Sequence, residues 1–157
     1  MFTARNSEIK LSNFLKEKYI CLELKGKNKK EIIVELVGLI AASGKLKDKR
    51  LFVNNILKRE KLGSTGIGNG VGIPHSKSKK VNDFILAFGR KNSGIDFGAL
   101  DGEKTYIFFM LASPEKNIGG HLKLLSEISR MVRDKFISDR LKSANSKKEI
   151  LKIISLG

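Results

Sequence analysis

The chain has 157 residues, the usual size of one domain, so we expect a single domain over residues 1–157 with a self-sufficient core. One cysteine and two histidines exclude a disulfide framework and a zinc-finger ligand set, and the longest apolar run, residues 106–112, is far shorter than the roughly 20 residues of a membrane span. The net charge of +15, from 31 basic and 16 acidic residues, makes a polyanion a partner to consider. The first residues contain no apolar stretch of the secretory type, and we expect a cytoplasmic protein.

The first third of the chain predicts a short strand followed by two helices. Residues 19–24 alternate weakly between polar and apolar and predict the strand. Asn28 is a suitable N-cap for the first helix and Gly44 a suitable C-cap, while Asp48 is a suitable N-cap for a helix that ends near residue 63. The apolar positions of the first helix have helical spacing: Ile32, Ile33, Leu36, Val37 and Ile40.

The middle of the chain, from residue 63 to about 114, predicts strands and turns. It contains most of the glycines and two runs with strand character, residues 84–89 and 105–112. The second run is apolar at nearly every position, as in a central strand that is covered on both faces. We therefore expect helices on both sides of the sheet.

The last third returns to helical spacing. After Gly119 and Gly120, a helix is predicted to bury Leu122, Leu125, Ile128 and Val132. Ser146, with Glu149 in the capping-box position, predicts the start of a final helix. The order of helix, helix, strands, helix and helix indicates an α/β fold, a single-domain sandwich with a mixed β-sheet flanked by helices on both faces.

The glycine-rich segment from residue 63 to His75 fits none of three common phosphate loops. It lacks the Gly-Lys of a Walker loop, and its spacing departs from the dinucleotide and kinase patterns at Val71. Its glycines at positions 66, 68, 70 and 72 recur with a period of two, which indicates extended or bulged backbone that another surface approaches closely. A loop in which glycine merely allows turns is the simpler interpretation.

Three residues are candidates for phosphoryl chemistry. His75 follows Pro74, which stiffens the backbone, and a neutral imidazole is both a nucleophile and a good leaving group. His121 stands near the start of a predicted helix, where the dipole would lower its pKa, although it could simply cap that helix. Arg59 could bind a phosphoryl group, or it could pair with Glu60 or with solvent.

The remaining polar residues do not favour other catalytic classes. No Ser, His and Asp spacing is typical of a hydrolase triad. The acidic residues of the middle segment show no pairing typical of a metal site or a glycosidase: Asp83, Asp96, Asp101 and Glu103.

The chain resembles a known family along most of its length, from Leu11 to about Ile154. The segment from Arg59 through Gly-Ser-Thr-Gly-Ile-Gly-Asn-Gly to Pro-His75 is similar to the enzyme IIA domain of the fructose and mannitol branch of the bacterial phosphotransferase system. Within that branch it is most similar to the stand-alone nitrogen-regulatory type. Further matching residues are Ile95, Asp96, Phe97, Asp101, His121 and Leu122, whereas Gly72, Ser76 and Lys104 depart from the usual pattern.

The resemblance implies a phosphoacceptor and its supporting residues. His75 would take a phosphoryl group on Nε2 from the small carrier HPr, and His121 and Arg59 would stabilise the transition state or the phosphorylated form. Because such transfer needs an aligned imidazole and hydrogen-bond donors, no metal or cofactor is expected. In the transport members of the family the group passes on to a cysteine of enzyme IIB, and in the nitrogen-type members the phosphorylation state regulates partner proteins.

Two other functions stay open at this point. The chain could be a fructose or mannitol IIA component, or a basic module that binds nucleic acid or a regulatory partner and carries a vestigial site. Of the basic residues, 24 are Lys and seven are Arg, and bidentate recognition of bases and phosphates favours Arg. The excess is also dispersed, since residues 1–30 and 123–148 each carry +5 without a long run of one charge. The charge pattern therefore argues against nucleic acid.

Overall fold

The computed structural model describes residues 10–157, so the expectation drawn from the first residues lies outside the described part of the chain. Two 3₁₀ turns, Leu11–Asn13 and Glu17–Tyr19, precede the first strand. The strands are β1 (Ile20–Cys21), β2 (Gly66–Gly68), β3 (Val71–Gly72), β4 (His75–Ser78), β5 (Ile85–Ile95) and β6 (Thr105–Pro114). The helices are α1 (Lys29–Ala41), α2 (Lys49–Lys61), α3 (Ile118–Arg133), α4 (Lys135–Ser143) and α5 (Lys147–Leu156).

The six strands form one mixed sheet, as predicted. Its order is β1-β5-β6-β3-β2, and β4 also pairs with β6, beyond the end of β3. The long strands β5 and β6 are antiparallel, whereas β3 and β4 run parallel to β6 and β1 runs parallel to β5. Strand β6 is central and its residues 107–112 have no exposed surface, which confirms the expectation of a strand covered on both faces.

Helices cover both faces of this sheet. A Cβ placed on Gly89 of β5 would meet Leu36 of α1 at 2.7 Å. The next residue, Arg90, points to the opposite face because neighbouring strand residues alternate, and its guanidinium donates to the carbonyls of Leu141 and Ala144 at the end of α4. Helices α1 and α4 therefore lie on opposite sides of β5, and the predicted sandwich is confirmed.

The predicted helix starts are confirmed. The side chains of Asn28, Asp48 and Ser146 each accept a hydrogen bond from the backbone N–H three residues later, and so cap α1, α2 and α5. The predicted C-cap of α1 is wrong. Helix α1 ends at Ala41 with Ala42 as its cap, and Gly44 adopts a positive φ of 73° in the loop that follows.

Two predictions for the last third need correction. Helix α3 begins at Ile118 with Asn117 as its N-cap, so Gly119 and Gly120 lie inside its first turn. Its predicted core residue Leu122 is 60% exposed and Leu125 is half-buried, whereas the predicted Ile128 and Val132 are buried. The residues that complete the buried face are His121, Leu124 and Met131. Helix α4 was not predicted, because a single residue, Asp134, separates it from α3 and caps it.

Candidate active site

The glycine-rich segment forms a tight hairpin at the edge of the sheet. Strands β2 and β3 are antiparallel, with a register irregularity between Gly66 and Gly68, and Gly68 pairs with Val71 across a two-residue turn. The turn residues, Asn69 and Gly70, both have positive φ, 57° and 79°, as in a type I′ hairpin. The prediction of extended or bulged backbone is confirmed.

Other side chains lie close against the bare backbone of this hairpin. A Cβ on Gly70 would lie 3.0 Å from Lys142 Nζ and 3.1 Å from the Tyr106 ring. On Gly72 it would lie 3.2 Å from Phe108, on the neighbouring strand β6. Larger residues would push β3 away from β6, so the glycines keep the segment that leads to His75 in register with the central strand.

His75 is the first residue of β4 and pairs with Leu111 of β6. The ring is half-buried, and its Nδ1 lies 2.7 Å from the carbonyl oxygen of Ile73. Because a carbonyl oxygen only accepts, Nδ1 must carry the proton and donate it. At neutral pH the other nitrogen, Nε2, therefore keeps a free lone pair.

The surroundings of His75 favour its neutral form. Burial is the largest cause and lowers its pKa, and the positive charges of Arg59 and Lys77 lower it further. The Ile73 carbonyl and the Glu60 carboxylate act in the opposite direction, but the pKa stays below 6.5. At pH 7 the ring is thus mainly an uncharged nucleophile.

His121 lies beside His75 with 5.5 Å between the ring centroids. It is only 5% exposed and its Nδ1 lies 2.7 Å from the hydroxyl of Ser113 on β6, whereas the helix cap is Asn117. The interpretation of His121 as a helix cap is therefore wrong. Burial, followed by the charges of His75 and Lys77, lowers the pKa of His121 to about 4.

Arg59 occupies the last turn of α2, which packs against β4. Its guanidinium donates to the carbonyl of Gly63 at 2.8 Å, and it is close enough to His75 to lower the pKa of that ring. Among residues 10–157 no ion pair joins it to Glu60. The fold thus brings together all three candidates, which are separated by up to 62 residues in sequence.

An ion pair between a buried carboxylate and a partly exposed lysine, which sequence reasoning missed, anchors the glycine-rich segment. Glu60 is 7% exposed and pairs with Lys29 of α1 at 2.7 Å. Its carboxylate also accepts from the backbone N–H of Thr65 at 3.1 Å and from the Thr65 hydroxyl. The Lys29 ammonium lies 4.6 Å from the centroid of the Phe97 ring and donates to the Phe97 carbonyl. The cluster joins both helices to the start of the hairpin.

The acidic residues of the middle segment hold turns. Asp101 accepts from the backbone N–H groups of Glu103 and Asn69, both at 3.0 Å, and these bonds lower the pKa of its carboxyl group. Asp96 accepts from the N–H of Gly98.

In the described part of the chain, no group of three or more His, Cys, Asp and Glu side chains is placed to hold a metal ion. No helix between residues 10 and 157 has the length and apolar character needed to cross a bilayer.

Comparison with known proteins identifies the family. Residues 13–156 match the model of the phosphoenolpyruvate-dependent sugar phosphotransferase system, EIIA 2. The chain belongs to this family. It is a phosphotransferase component, and the resemblance inferred from the segment between Arg59 and His75 is confirmed.

The similar proteins include both fructose-specific components and nitrogen regulatory proteins. The chain is 36% identical over 147 residues to the fructose-specific EIIABC component of Bacillus subtilis, covering 94% of this chain but 23% of that protein. It therefore spans about a quarter of that relative. It is 33% identical over 146 residues to the nitrogen regulatory protein of Pseudomonas aeruginosa, covering 93% of this chain and 95% of that protein.

Solved structures share the fold. The nitrogen regulatory protein IIA-Ntr from Neisseria meningitidis superposes with a TM-score of 0.86 at 31% identity, over 92% of this chain and 98% of that chain. Mannitol IIA from Escherichia coli superposes with a TM-score of 0.77 at 21% identity, over 88% of this chain and 97% of that chain, which shows a common fold. The α/β prediction agrees with both.

Proposed function

We propose that this chain accepts a phosphoryl group from an HPr-type carrier on Nε2 of His75 and then passes it on. The observation that carries the proposal is the 2.7 Å contact between Nδ1 of His75 and the Ile73 carbonyl. It fixes the tautomer whose unprotonated nitrogen is Nε2. The lowered pKa keeps that nitrogen unprotonated at neutral pH.

The transfer needs no proton acceptor. The Nε2 lone pair forms the N–P bond while the bond between phosphorus and the donor breaks. Nδ1 keeps its proton and continues to donate it to the Ile73 carbonyl. The ring therefore gains a positive charge, which the carbonyl dipole stabilises. The reverse displacement passes the group to the next acceptor, and His75 returns to its neutral tautomer.

His121 and Arg59 would act on the phosphoryl oxygens. The transition state of phosphoryl transfer is loose and carries charge on three equatorial oxygens, so fixed donors beside the reacting nitrogen stabilise it. The His121 ring lies 5.5 Å from that of His75 between centroids, and the Arg59 guanidinium is near enough to act on the charge of His75. Neither residue would attack phosphorus.

The surface next to these residues suits a protein donor. Leu62 follows α2 and is 85% exposed, and Ile118 and Leu122 on the first turns of α3 are 54% and 60% exposed. Lys77, two residues after His75, adds a positive charge that is accessible to solvent. Exposed apolar side chains next to Arg59 and His121 in the chain, together with the exposed charge on the strand of His75, favour docking of a folded carrier with an acidic, partly apolar face.

For the biological role we favour a nitrogen-type regulatory function. The support is that nitrogen regulatory proteins are among its similar relatives, including that of Pseudomonas aeruginosa at 33% identity, and that the IIA-Ntr structure from Neisseria meningitidis superposes with a TM-score of 0.86 at 31% identity. The second candidate is a sugar-specific IIA component. It is motivated by the solved complex of Escherichia coli mannitol IIA with phosphorylated mannitol IIB, which shares the fold with a TM-score of 0.79.

Reconstituted phosphorylation tests the chemistry. With enzyme I, HPr and phosphoenolpyruvate, we expect the intact protein to gain one phosphoryl group in an acid-labile phosphoramidate. His75→Ala should abolish labelling while leaving the circular dichroism spectrum and melting curve close to those of the parent. His121→Ala is the matched control, because it removes the other imidazole and should still label at a reduced rate. Undiminished labelling of His75→Ala would refute the proposal.

The role is decided by what the phosphorylated form does next. Phosphorylated and unphosphorylated protein, used as baits in the host lysate, should capture different partners if the state is regulatory. A IIB protein with an acceptor cysteine should then receive little phosphate. Rapid and complete transfer to a IIB cysteine, with identical captured proteins for the two states, would favour the sugar-specific role instead.

A further inference from the structure

A buried serine lies directly behind His121. Ser113, the ninth residue of β6, has no exposed surface, and its hydroxyl oxygen lies 2.7 Å from Nδ1 of His121. Within residues 10–157 this ring nitrogen is the one hydrogen-bond partner recorded for the hydroxyl. Both groups are shielded from water, since His121 is only 5% exposed.

The direction of this hydrogen bond sets the tautomer of His121. A serine hydroxyl carries one proton, and among residues 10–157 the Nδ1 lone pair is the one acceptor placed to receive it. The opposite direction, Nδ1–H toward the hydroxyl oxygen, would leave the hydroxyl proton without an acceptor in a buried site. Such an unsatisfied buried donor destabilises the folded protein. The favoured arrangement therefore has Ser113 as donor, Nδ1 as acceptor and the ring proton of His121 on Nε2.

The two histidines thus differ in tautomer. His75 donates through Nδ1 to the carbonyl of Ile73 and presents an Nε2 lone pair. His121 accepts at Nδ1 and presents an Nε2–H group. A lone pair that attacks phosphorus and an N–H that donates to a phosphoryl oxygen are complementary functions, and the rings that carry them lie 5.5 Å apart between centroids.

We propose that Ser113 is a positioning residue that holds His121 as the Nε2–H tautomer, so that the ring donates to an oxygen of the phosphoryl group transferred to His75. The part concerning the phosphoryl group rests on the function proposed above. The part concerning the tautomer rests on the buried contact alone.

The tautomer matters because the ring of His121 is neutral when the donor arrives. Burial and the nearby charges of His75 and Lys77 lower its pKa to about 4, so at pH 7 it carries only one N–H. An imidazolium would donate from both nitrogens, whereas a neutral ring in the wrong tautomer would direct a lone pair at the phosphoryl oxygens and repel them. The Ser113 hydroxyl would prevent that second outcome.

Nitrogen-15 NMR of the intact protein tests the tautomer directly. Long-range correlations from the ring carbon protons distinguish protonated from unprotonated nitrogens in each histidine. At pH 7 we expect the Nε2–H form for His121 and the Nδ1–H form for His75. In Ser113→Ala the His121 signals should move toward a mixture of both forms, and Ser113→Thr, which keeps a hydroxyl, should restore the parent pattern. An Nδ1–H form of His121 in the parent would overturn the inference.

Kinetics with HPr as donor test the consequence. Removing one oriented donor from an oxyanion costs about 10²–10³ in rate, and a freed ring still samples the useful tautomer, so Ser113→Ala should lower the maximal acceptance rate by about tenfold. The KM for phosphorylated HPr should stay unchanged, because the serine does not contact the donor. Ser138→Ala, a buried serine on α4, is the matched control and should accept at the parent rate.

The outcomes separate this inference from the function on which it rests. If the parent protein is not labelled at His75, the proposed function fails, and the NMR tautomer still decides what Ser113 does. If the parent is labelled and Ser113→Ala keeps both the Nε2–H form and the parent rate, the function stands and the positioning role is overturned. Rescue of tautomer and rate together by Ser113→Thr supports the inference.

Discussion

The segment that ends in His75 and the first turns of α3 each supply one imidazole, but they hold it differently. His75 is half-buried and is oriented by a backbone carbonyl two residues away, at the end of a glycine-rich hairpin. His121 is buried in a helix and is oriented by the side chain of Ser113 on a neighbouring strand. This difference suits the roles proposed above, because a ring that meets a second protein needs access, whereas a ring that only donates benefits from a fixed position shielded from water.

The electrostatics of the two regions follow the same division. Burial is the largest cause that lowers the pKa of each histidine, and the pKa of His121 falls to about 4. At His75 the Ile73 carbonyl and the Glu60 carboxylate partly offset burial, and a ring that becomes positive on phosphorylation needs such partners. Nothing comparable raises the pKa of His121. Under the proposed function, the ring that attacks would be prepared for a positive charge and the ring that donates would be kept neutral.

Removal of a donor should give the largest effect apart from loss of His75 itself. His121→Ala and Arg59→Ala should each lower the rate of phosphoryl acceptance by about 10²–10³, the usual loss for one oriented donor to a transition-state oxygen. Both variants should still label at His75, which rapid-quench kinetics with phosphorylated HPr can measure. Transfer at the parent rate in both directions would make the altered residue structural and would remove the division between attacker and donor.

The anchor of the His75 segment should matter most for stability. Glu60→Gln removes the charge that pairs with Lys29, and breaking a buried pair typically costs about 3–5 kcal/mol. Because Lys29 is partly exposed, we expect about 2–4 kcal/mol in the free energy of unfolding, measured by urea denaturation. Acceptance at His75 should slow as well, since Gln keeps only one of the two acceptor oxygens that bind the N–H and the hydroxyl of Thr65.

An exposed ion pair provides the control for this variant. Asp139→Asn breaks the pair between Lys135 and Asp139 on α4, which is accessible to solvent, and should leave the free energy of unfolding nearly unchanged. Equal losses for the two variants would mean that Glu60 is no more than a surface charge. The glycine-rich segment would then owe its position to backbone packing alone.

Local signals in the sequence explain which parts of the fold could be predicted. The caps Asn28, Asp48 and Ser146 act within three residues, so the chain shows them directly. The Asn69-Gly70 dipeptide is an equally local hairpin signal that the glycine spacing concealed. The extra helix α4 left no such signal, because its break from α3 is a single residue.

The polar support of the site could not be predicted in the same way. Glu60 meets Lys29 across 31 residues, and no periodicity links an acid on one helix to a base on another. Ser113 follows a fully apolar run, and a polar residue at the end of a buried strand is a weak sign of a buried partner. The pairing of Ser113 with His121 depends on the packing of α3 against β6, which only the three-dimensional structure shows.

A pH series should separate the two histidines by their burial. Between about pH 4 and pH 6.5 the unfolded chain binds a proton at His121 that the folded protein does not, so the free energy of unfolding rises with pH in this window. From pH 7 to pH 5 the linked loss from this ring is about 2 kcal/mol. Urea denaturation at pH 7 and pH 5 measures this loss. Between the two pH values, the free energy of unfolding should fall by about 2 kcal/mol less in His121→Gln than in the parent.

His75→Gln is the control for the pH series. The pKa of His75 is also lowered, so its contribution has the same sign, but it is expected to be smaller because its partners favour the charged form. An equal pH dependence in the parent and in His121→Gln would show that the buried ring is not kept neutral by the fold.

The smallest effect concerns the exposed charges beside His75. Lys77, Lys79 and Lys80 are accessible to solvent, and opposite charges on two proteins accelerate their encounter without adding much affinity. Replacing all three with Gln should slow phosphoryl acceptance a few-fold at low salt, and the difference should shrink above 0.1 M, where the Debye length falls below about 10 Å. The control is the same replacement of three lysines on α5, at Lys147, Lys148 and Lys152. It changes the net charge by the same amount but away from the site, and it should have little effect on the rate of phosphoryl acceptance.

The same salt series examines the remaining alternative for the charge of +15. A protein that neutralises six to ten DNA phosphates loses about 10³–10⁵ in affinity between 50 and 200 mM salt, whereas docking to a folded carrier is far less sensitive. We expect the unphosphorylated protein to bind duplex DNA weakly. We also expect the salt dependence of the rate of phosphoryl acceptance to come from the lysines that follow His75. Identical curves for the parent and the variant near His75 would leave those lysines without a docking role. Tight DNA binding that weakens steeply with salt would instead favour a nucleic-acid module. Such a slope requires many direct contacts with DNA phosphates, whereas lysines that only speed the encounter with a carrier protein do not form them.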